Sequence, residues 1–179
     1  MKMTVRLIGV MLALCAILAL GACSTKQEES GDPDGYKLAN ENSDDCMFYV
    51  PSAWTVDLKN NVITASSPSD RASVSVMTWT KADATPASLW EGDKIGFEAL
   101  YTDFKEEARE DMKLDGADAI SVVYSGSLGE GENASTFRWR QVIAVKGTLV
   151  CVLTYTNLAD GFDAHTADFD AILGYFKFK

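Results

Sequence analysis

Histidine occurs once in the 179 residues, at His165, and cysteine four times, at Cys15, Cys23, Cys46 and Cys151. These side chains carry most nucleophilic and metal-binding chemistry, so their number bounds what the chain can do. A Ser-His-Asp triad would have to use His165, yet no serine stands in a G-x-S-x-G turn. A zinc site takes three or four N or S ligands, and one histidine with no C-x-x-C argues against one. No metal, no cofactor and no catalytic residue is therefore expected, and His165 reads as a structural histidine. Carboxylates are plentiful, with Asp44-Asp45, Glu106-Glu107 and Glu110-Asp111 side by side. Consecutive strand residues project to opposite faces, so no such pair on a strand is an acid–base dyad by itself. Cys46 and Cys151 each fall in an apolar stretch that reads as a strand. They can pair as a disulfide if their Cα atoms come within about 7 Å in an oxidising compartment. The alternative is two buried thiols, since cysteine packs as a small apolar residue. Asn133-Ala134-Ser135 is formally a glycosylation sequon.

The elements that must position these residues follow from periodicity. Tyr36 opens a short strand, Cys46 to Pro51 reads as a second, and Trp54 to Leu58 as a third. Asn60-Asn61 is a turn signal before the strand at 62–66, and Ser67 to Asp70 is another turn. Ala72 to Trp79 alternates, with Val74 and Val76 on one face and Met77 and Trp79 on the other. Thr85-Pro86 then looks like an N-cap with proline at the first helical position. The spacing predicts a helix from Pro86 to about Phe104, with Leu89, Phe97, Leu100 and Phe104 along one face and Trp90 and Tyr101 beside it. Gly92 and Gly96 weaken its middle and would let it lie close to a sheet. Four strands follow, the first (106–114) charged and suited to an edge, the last (148–157) the most apolar. The third alternates Phe137, Trp139, Gln141 and Ile143 with Arg138, Arg140, Val142 and Ala144. A second helix, capped by Asp160 or Asp163, carries His165, Phe169, Ile172, Leu173 and Phe176 on one stripe before a last short strand. This order predicts an α+β fold, a mainly antiparallel sheet flanked by helices. Trp79 and Trp139 are expected on an open sheet face, where a partner would be sought first.

The formal net charge is −10. Such a surface repels phosphate backbones, which excludes nucleic acid as an expected partner. The amino end is different, with Lys2 and Arg6 followed by a charge-free run from Leu7 to Ala22. That run is short for a spanning helix and suits a signal peptide. Leu20-Gly21-Ala22-Cys23 resembles a bacterial lipobox. The resemblance implies cleavage before Cys23, lipidation of its sulfur and attachment to a membrane on the extracytoplasmic side. The organisation expected is a signal peptide at 1–22, a flexible tether at 23–35 and one domain at 36–179. The tether has no large apolar residue and cannot offset its ordering entropy. Its Asp32-Pro33-Asp34-Gly35 reads as a turn rather than a calcium loop.

The domain itself resembles the PsbP/Mog1-like family. The resemblance rests on Phe48-Tyr49-Val50-Pro51-Ser52-Ala53-Trp54, on Ser67-Pro68 and Val74-Ser75-Val76, on Leu114-Asp115-Gly116-Ala117, and on the aromatic ending Tyr175-Phe176-Lys177-Phe178. It implies an antiparallel sheet flanked by helices and a docking role rather than an activity. The expectation is a lipid-anchored, extracytoplasmic, non-enzymatic binding or accessory protein of the cell envelope, with the membrane and an envelope protein as partners. Two readings stand beside it. One is a single-domain lipoprotein binding a small ligand in a pocket with convergent polar groups. The other is an envelope hydrolase, which requires two carboxyls about 5 to 9 Å apart in a cleft.

Overall fold

The computed structural model describes residues 31–129 and 131–179. Cys23 and the expected signal peptide lie outside these residues, as does most of the expected tether. The Asp32–Gly35 turn forms as predicted. The Tyr36 amide donates to Pro33 O at 2.9 Å, and Gly35 takes the positive φ, 79°, that the bend requires. Three short strands follow: β1 (Tyr36–Leu38), β2 (Cys46–Met47) and β3 (Tyr49–Pro51). The predicted single strand from Cys46 to Pro51 is thus broken at Phe48. The break lets β3 pair with β1 while β2 pairs with the end of the chain, and Asn40 bridges the gap by accepting the Phe48 amide on Oδ1 at 2.7 Å.

The remaining strands are β4 (Thr55–Lys59), β5 (Val62–Ser66), β6 (Ser73–Thr80), β7 (Thr102–Leu114), β8 (Ala117–Leu128), β9 (Ser135–Lys146) and β10 (Leu149–Leu158). They form one antiparallel sheet in the order β4-β5-β6-β10-β9-β8-β7. Its hairpins are set by local backbone chemistry. Asn60 and Asn61 both take positive φ, 52° and 62°, the geometry a two-residue hairpin turn demands. Asp115-Gly116 does the same between β7 and β8, at 46° and 81°. The charged strand β7 lies at one edge as expected, where side-chain charge discourages pairing with another chain.

Two helices cover opposite faces of the sheet: α1 (Pro86–Leu100) and α2 (Thr166–Tyr175), the latter followed by β11 (Lys177–Phe178), which pairs with β2. The α1 start is the one the sequence predicts. Thr85 Oγ1 accepts the Ser88 amide and Ser88 Oγ accepts the Thr85 amide, each at 3.1 Å, with Pro86 at the first turn. Its end comes four residues earlier than predicted. Tyr101 is already extended, its amide caps Phe97 O at 2.9 Å, and Asp103 turns the chain at φ 57°. Phe104 therefore reaches the aromatic core from β7, its ring 5.8 Å from Tyr124, while Leu100 is 62% exposed. A helix and a strand that both pack on one apolar cluster place aromatics at similar sequence spacing, which is why the stripe ran on. Gly92 and Gly96 also face outward. A Cβ at either would meet nothing within 4 Å, so they serve no close approach to the sheet. At the second helix, neither Asp160 nor Asp163 is the cap. A 3-10 turn (Phe162–His165) intervenes and His165 occupies the N-cap position.

The α2 face holds the larger core, with Val74, Val76, Val142, Leu153 and Tyr155 of the sheet against Phe169, Ile172 and Phe176. Trp54 closes this core at 4% exposure, the indole plug that the Pro-x-x-Trp turn suggested. The α1 face holds Leu89 and Trp90 against Ile120, Val122, Tyr124, Trp139 and Ile143.

Candidate functional site

The residues with chemical potential are scattered through the fold. His165 Nδ1 lies 2.7 Å from Asp168 Oδ2, and Nε2 lies 3.4 Å from Asp70 Oδ2. Asp70 also accepts from Asn157 Nδ2 at 3.1 Å. Burial raises the Asp70 pKa, but bonds from Ser67, the Ala72 amide and Asn157, with the His165 ring nearby, hold it below the ordinary value. The Trp54 ring packs edge-on against the imidazole at 5.3 Å. With both nitrogens facing carboxylates, His165 joins the β5–β6 turn to the start of α2, a structural duty. The adjacent carboxylates separate as the strand geometry requires. Glu106 accepts from Lys94 Nζ at 2.8 Å and Trp90 Nε1 at 3.2 Å under α1, whereas Glu107 pairs with Arg138 at 2.8 Å. Cys46 and Cys151 are both thiols in the α2-side core, at 1% and 0% exposure.

Trp79 and Trp139 diverge. Trp139 is 6% exposed, stacked between Tyr101 at 4.5 Å and Tyr124 at 5.1 Å, so it belongs to the core and not to an open face. Trp79 is half-buried beside an opening. The difference comes from where α1 lies. Its Leu89 and Trp90 sit over β8 and β9, and the ion pairs Lys94–Glu106 and Arg109–Glu91 draw it toward β7. The same face of β6 and β5 is left uncovered.

A trough of about 520 Å³ opens there. Met77 and Trp79 of β6, Val152 of β10 and Phe97 of α1 make its apolar walls, and Thr154, Gln141 and Asp93 supply the polar groups. The polar groups are linked. Tyr124 Oη donates to Gln141 Oε1 at 3.1 Å, and Gln141 Nε2 donates to Asp93 Oδ2 at 3.2 Å. Asp93 is exposed as a residue, yet its carboxylate is turned toward the sheet. Burial there raises its pKa above the ordinary value, against the opposing pull of the Gln141 bond and the Lys81 charge. Burial also pushes the Tyr124 phenol well up.

Beyond the trough the same face turns hydroxylic. The register aligns Thr64, Ser75 and Thr154 in one row and Ser66, Ser73 and Thr156 in the next, all half-buried. The sequence shows the alternation within each strand, but only the register sets three strands' hydroxyls side by side. A smaller hollow of about 490 Å³ lies between residues 40–45 and Leu58, Ile63 and Thr78. Among the described residues no cluster of metal-ligating side chains occurs, and no helix is long and apolar enough to cross a membrane.

No family model and no curated protein matches the chain. Solved structures do. The cyanobacterial PsbP (CyanoP) of Synechocystis matches 81% of this chain and 93% of its own, with a TM-score of 0.61 at 14% identity. LpqN, described as involved in cell envelope biogenesis of Mycobacterium tuberculosis, matches 75% of this chain and 83% of its own, with a TM-score of 0.53 at 16% identity. A Pseudomonas aeruginosa protein of unknown function matches 78% and 94%, with a TM-score of 0.54 at 21% identity. The fold is therefore PsbP-like, as the residues around Trp54, Gly116 and Phe176 suggested.

Proposed function

We propose that this protein is a lipid-anchored, extracytoplasmic, non-enzymatic binding or accessory protein of the cell envelope that holds a protein partner in the trough between α1 and β6. The observation that carries the reading is the trough itself: an apolar wall of Met77, Trp79, Phe97 and Val152 meeting the hydrogen-bonded Gln141 and Asp93. Such a mixture of apolar area with few oriented polar groups is what a recognition site needs. Asp93 is the one carboxylate lining it. A second carboxyl facing Asp93 across the opening, as glycoside hydrolysis requires, is not among the lining residues. The envelope setting draws on the lipobox-like Leu20 to Cys23 and on a fold shared with a protein of envelope biogenesis. A lipid on Cys23, thirteen positions before Tyr36, would keep the domain close to the membrane surface.

The test is photo-crosslinking from position 77 in detergent-solubilised membranes, with and without Trp79→Ala. A discrete crosslinked partner that Trp79→Ala weakens at least tenfold supports the reading. Crosslinks unchanged by Trp79→Ala would remove the trough from the account. A small soluble ligand is the second reading, favoured by the convergence of Asp93, Gln141 and Thr154. It predicts a thermal shift with cell extract freed of protein, again lost in Trp79→Ala.

A further inference from the structure

Cys46 and Cys151 are 105 positions apart in sequence and lie in the same core. Several contacts fix that placement. Cys151 pairs in register with Thr78 on β6. Thr78 Oγ1 donates to Asp45 Oδ2 at 2.5 Å, and Asp45 is the neighbour of Cys46. Asn40 Nδ2 donates to Cys46 O at 2.9 Å and to its Sγ at 3.4 Å, which orients the sulfur. The segment holding Cys46 is thus fastened across the strand pair that holds Cys151, and the two thiols are buried in the same core. Two buried thiols carried on segments tied together in this way have the placement a disulfide requires.

We infer that Cys46 and Cys151 are joined as an intrachain disulfide once the chain has left the cytoplasm. The inference rests on the extracytoplasmic reading for its oxidant, a disulfide-bearing species such as a thiol–disulfide exchange protein or glutathione disulfide. Cys46 is the attacking sulfur. It lies on β2, two residues long and paired only with β11, so a local opening exposes it without disturbing the sheet. Cys151 sits on the central strand β10. The Cys151 thiol also draws the Cys46 pKa down, with help from Ser43 and Asn40 against its burial, while Cys151, by the same pairing and its burial, is pushed well up.

In the first step Cys46 gives up its proton and its thiolate attacks one sulfur of the oxidant. A mixed disulfide forms and the oxidant's other sulfur leaves as a thiolate. In the second, Cys151 loses its proton and attacks the Cys46 sulfur. The protein S–S bond forms, the oxidant's remaining sulfur leaves, and both protons end on the oxidant's thiols. The protein loses two electrons and two protons, and the oxidant gains them.

The position suits a tethered domain. Strain entering from the membrane side reaches β1 and then β2, each in a two-stranded sheet that peels easily. The disulfide would bolt that segment to the centre of the main sheet.

The test exports the full chain in a bacterial host, quenches it in acid, denatures it and alkylates thiols before and after reduction, with peptide mapping to separate Cys46 and Cys151 from Cys23. The expected result is a Cys46–Cys151 linked peptide, neither residue labelled until reductant is added. Reduction should also lower the Tm by roughly 10 °C, the scale for a cross-link closing so long a loop. The Cys46→Ala/Cys151→Ala double variant should show no reductant effect. Full labelling of both cysteines in the exported chain overturns the inference. Refolding the purified chain in a glutathione redox buffer then tells the two causes apart. A pair that closes there but not in the cell faults the extracytoplasmic reading, and one that stays open in both faults the disulfide itself.

Discussion

At the scale of single residues the titratable groups divide by what surrounds them. Asp70 is held below its ordinary value of 3.8 by the bonds that join it to Ser67, Ala72 and Asn157. A depressed carboxyl stabilises the fold above the unfolded value, and that contribution is lost as pH falls through the folded one. Asp70→Asn is therefore expected to lower stability at pH 7 and to flatten its loss between pH 4 and pH 2, read by urea unfolding at both ends. Asp93 behaves oppositely, because burial beside Gln141 raises it. A raised carboxyl contributes fully below the unfolded value and loses that contribution as pH rises through the folded one. Asp93→Asn, which keeps an acceptor for Gln141 Nε2, should remove that loss and leave stability flatter between pH 4 and pH 7. A slope unchanged from wild type would show that the carboxylate is solvated after all.

At the scale of elements, α1 is the informative one. Gly92 and Gly96 stand on its outer side with open space around their Cα atoms. Alanine at each is expected to add roughly 0.5 to 1 kcal/mol of stability through helix propensity alone. Gly126 is the contrasting case. A Cβ there would lie 2.7 Å from Tyr101 Cβ, which is fixed close to the backbone just where α1 ends. Gly126→Ala should cost on the order of 1 to 3 kcal/mol, and denaturant midpoints of the three variants check both signs. Trp90 is fully buried beneath the helix. Trp90→Ala should cost about 3 to 5 kcal/mol, read as a lowered denaturant midpoint. The misplaced end of α1 belongs here too. Phe104 kept helical spacing with Leu100, yet the cluster of Phe97, Tyr101 and Tyr124 receives it from β7.

At the scale of the whole molecule the prediction concerns attachment. Cys23→Ser should abolish both signal-peptide processing and incorporation of labelled fatty acid, and the protein should partition differently in detergent phase separation. Incorporation that persists in Cys23→Ser would refute the lipobox assignment. The described domain supplies a trough on one face and, on the other, an α2-side core closed by Trp54, His165 and the Arg140–Asp170 pair at 2.6 Å.

Local chemistry was legible in the sequence because it acts over a few residues. The Thr85-Pro86 cap, the Asn60-Asn61 hairpin, the alternation of Val74 and Val76 against Met77 and Trp79, and the Trp54 plug each need only near neighbours, and the strand-helix-strand order of a PsbP-like fold follows from them. The trough was not. It exists because α1 leans toward β7 through Lys94–Glu106 and Arg109–Glu91, which covers Trp139 and leaves Trp79 at an opening. Those pairs span 12 and 18 positions, and the Asp93–Gln141 bond spans 48. The same holds for the placement of Cys46 and Cys151 in one core. Contacts between distant positions depend on strand order and helix tilt together, and periodicity within one segment carries no information about either.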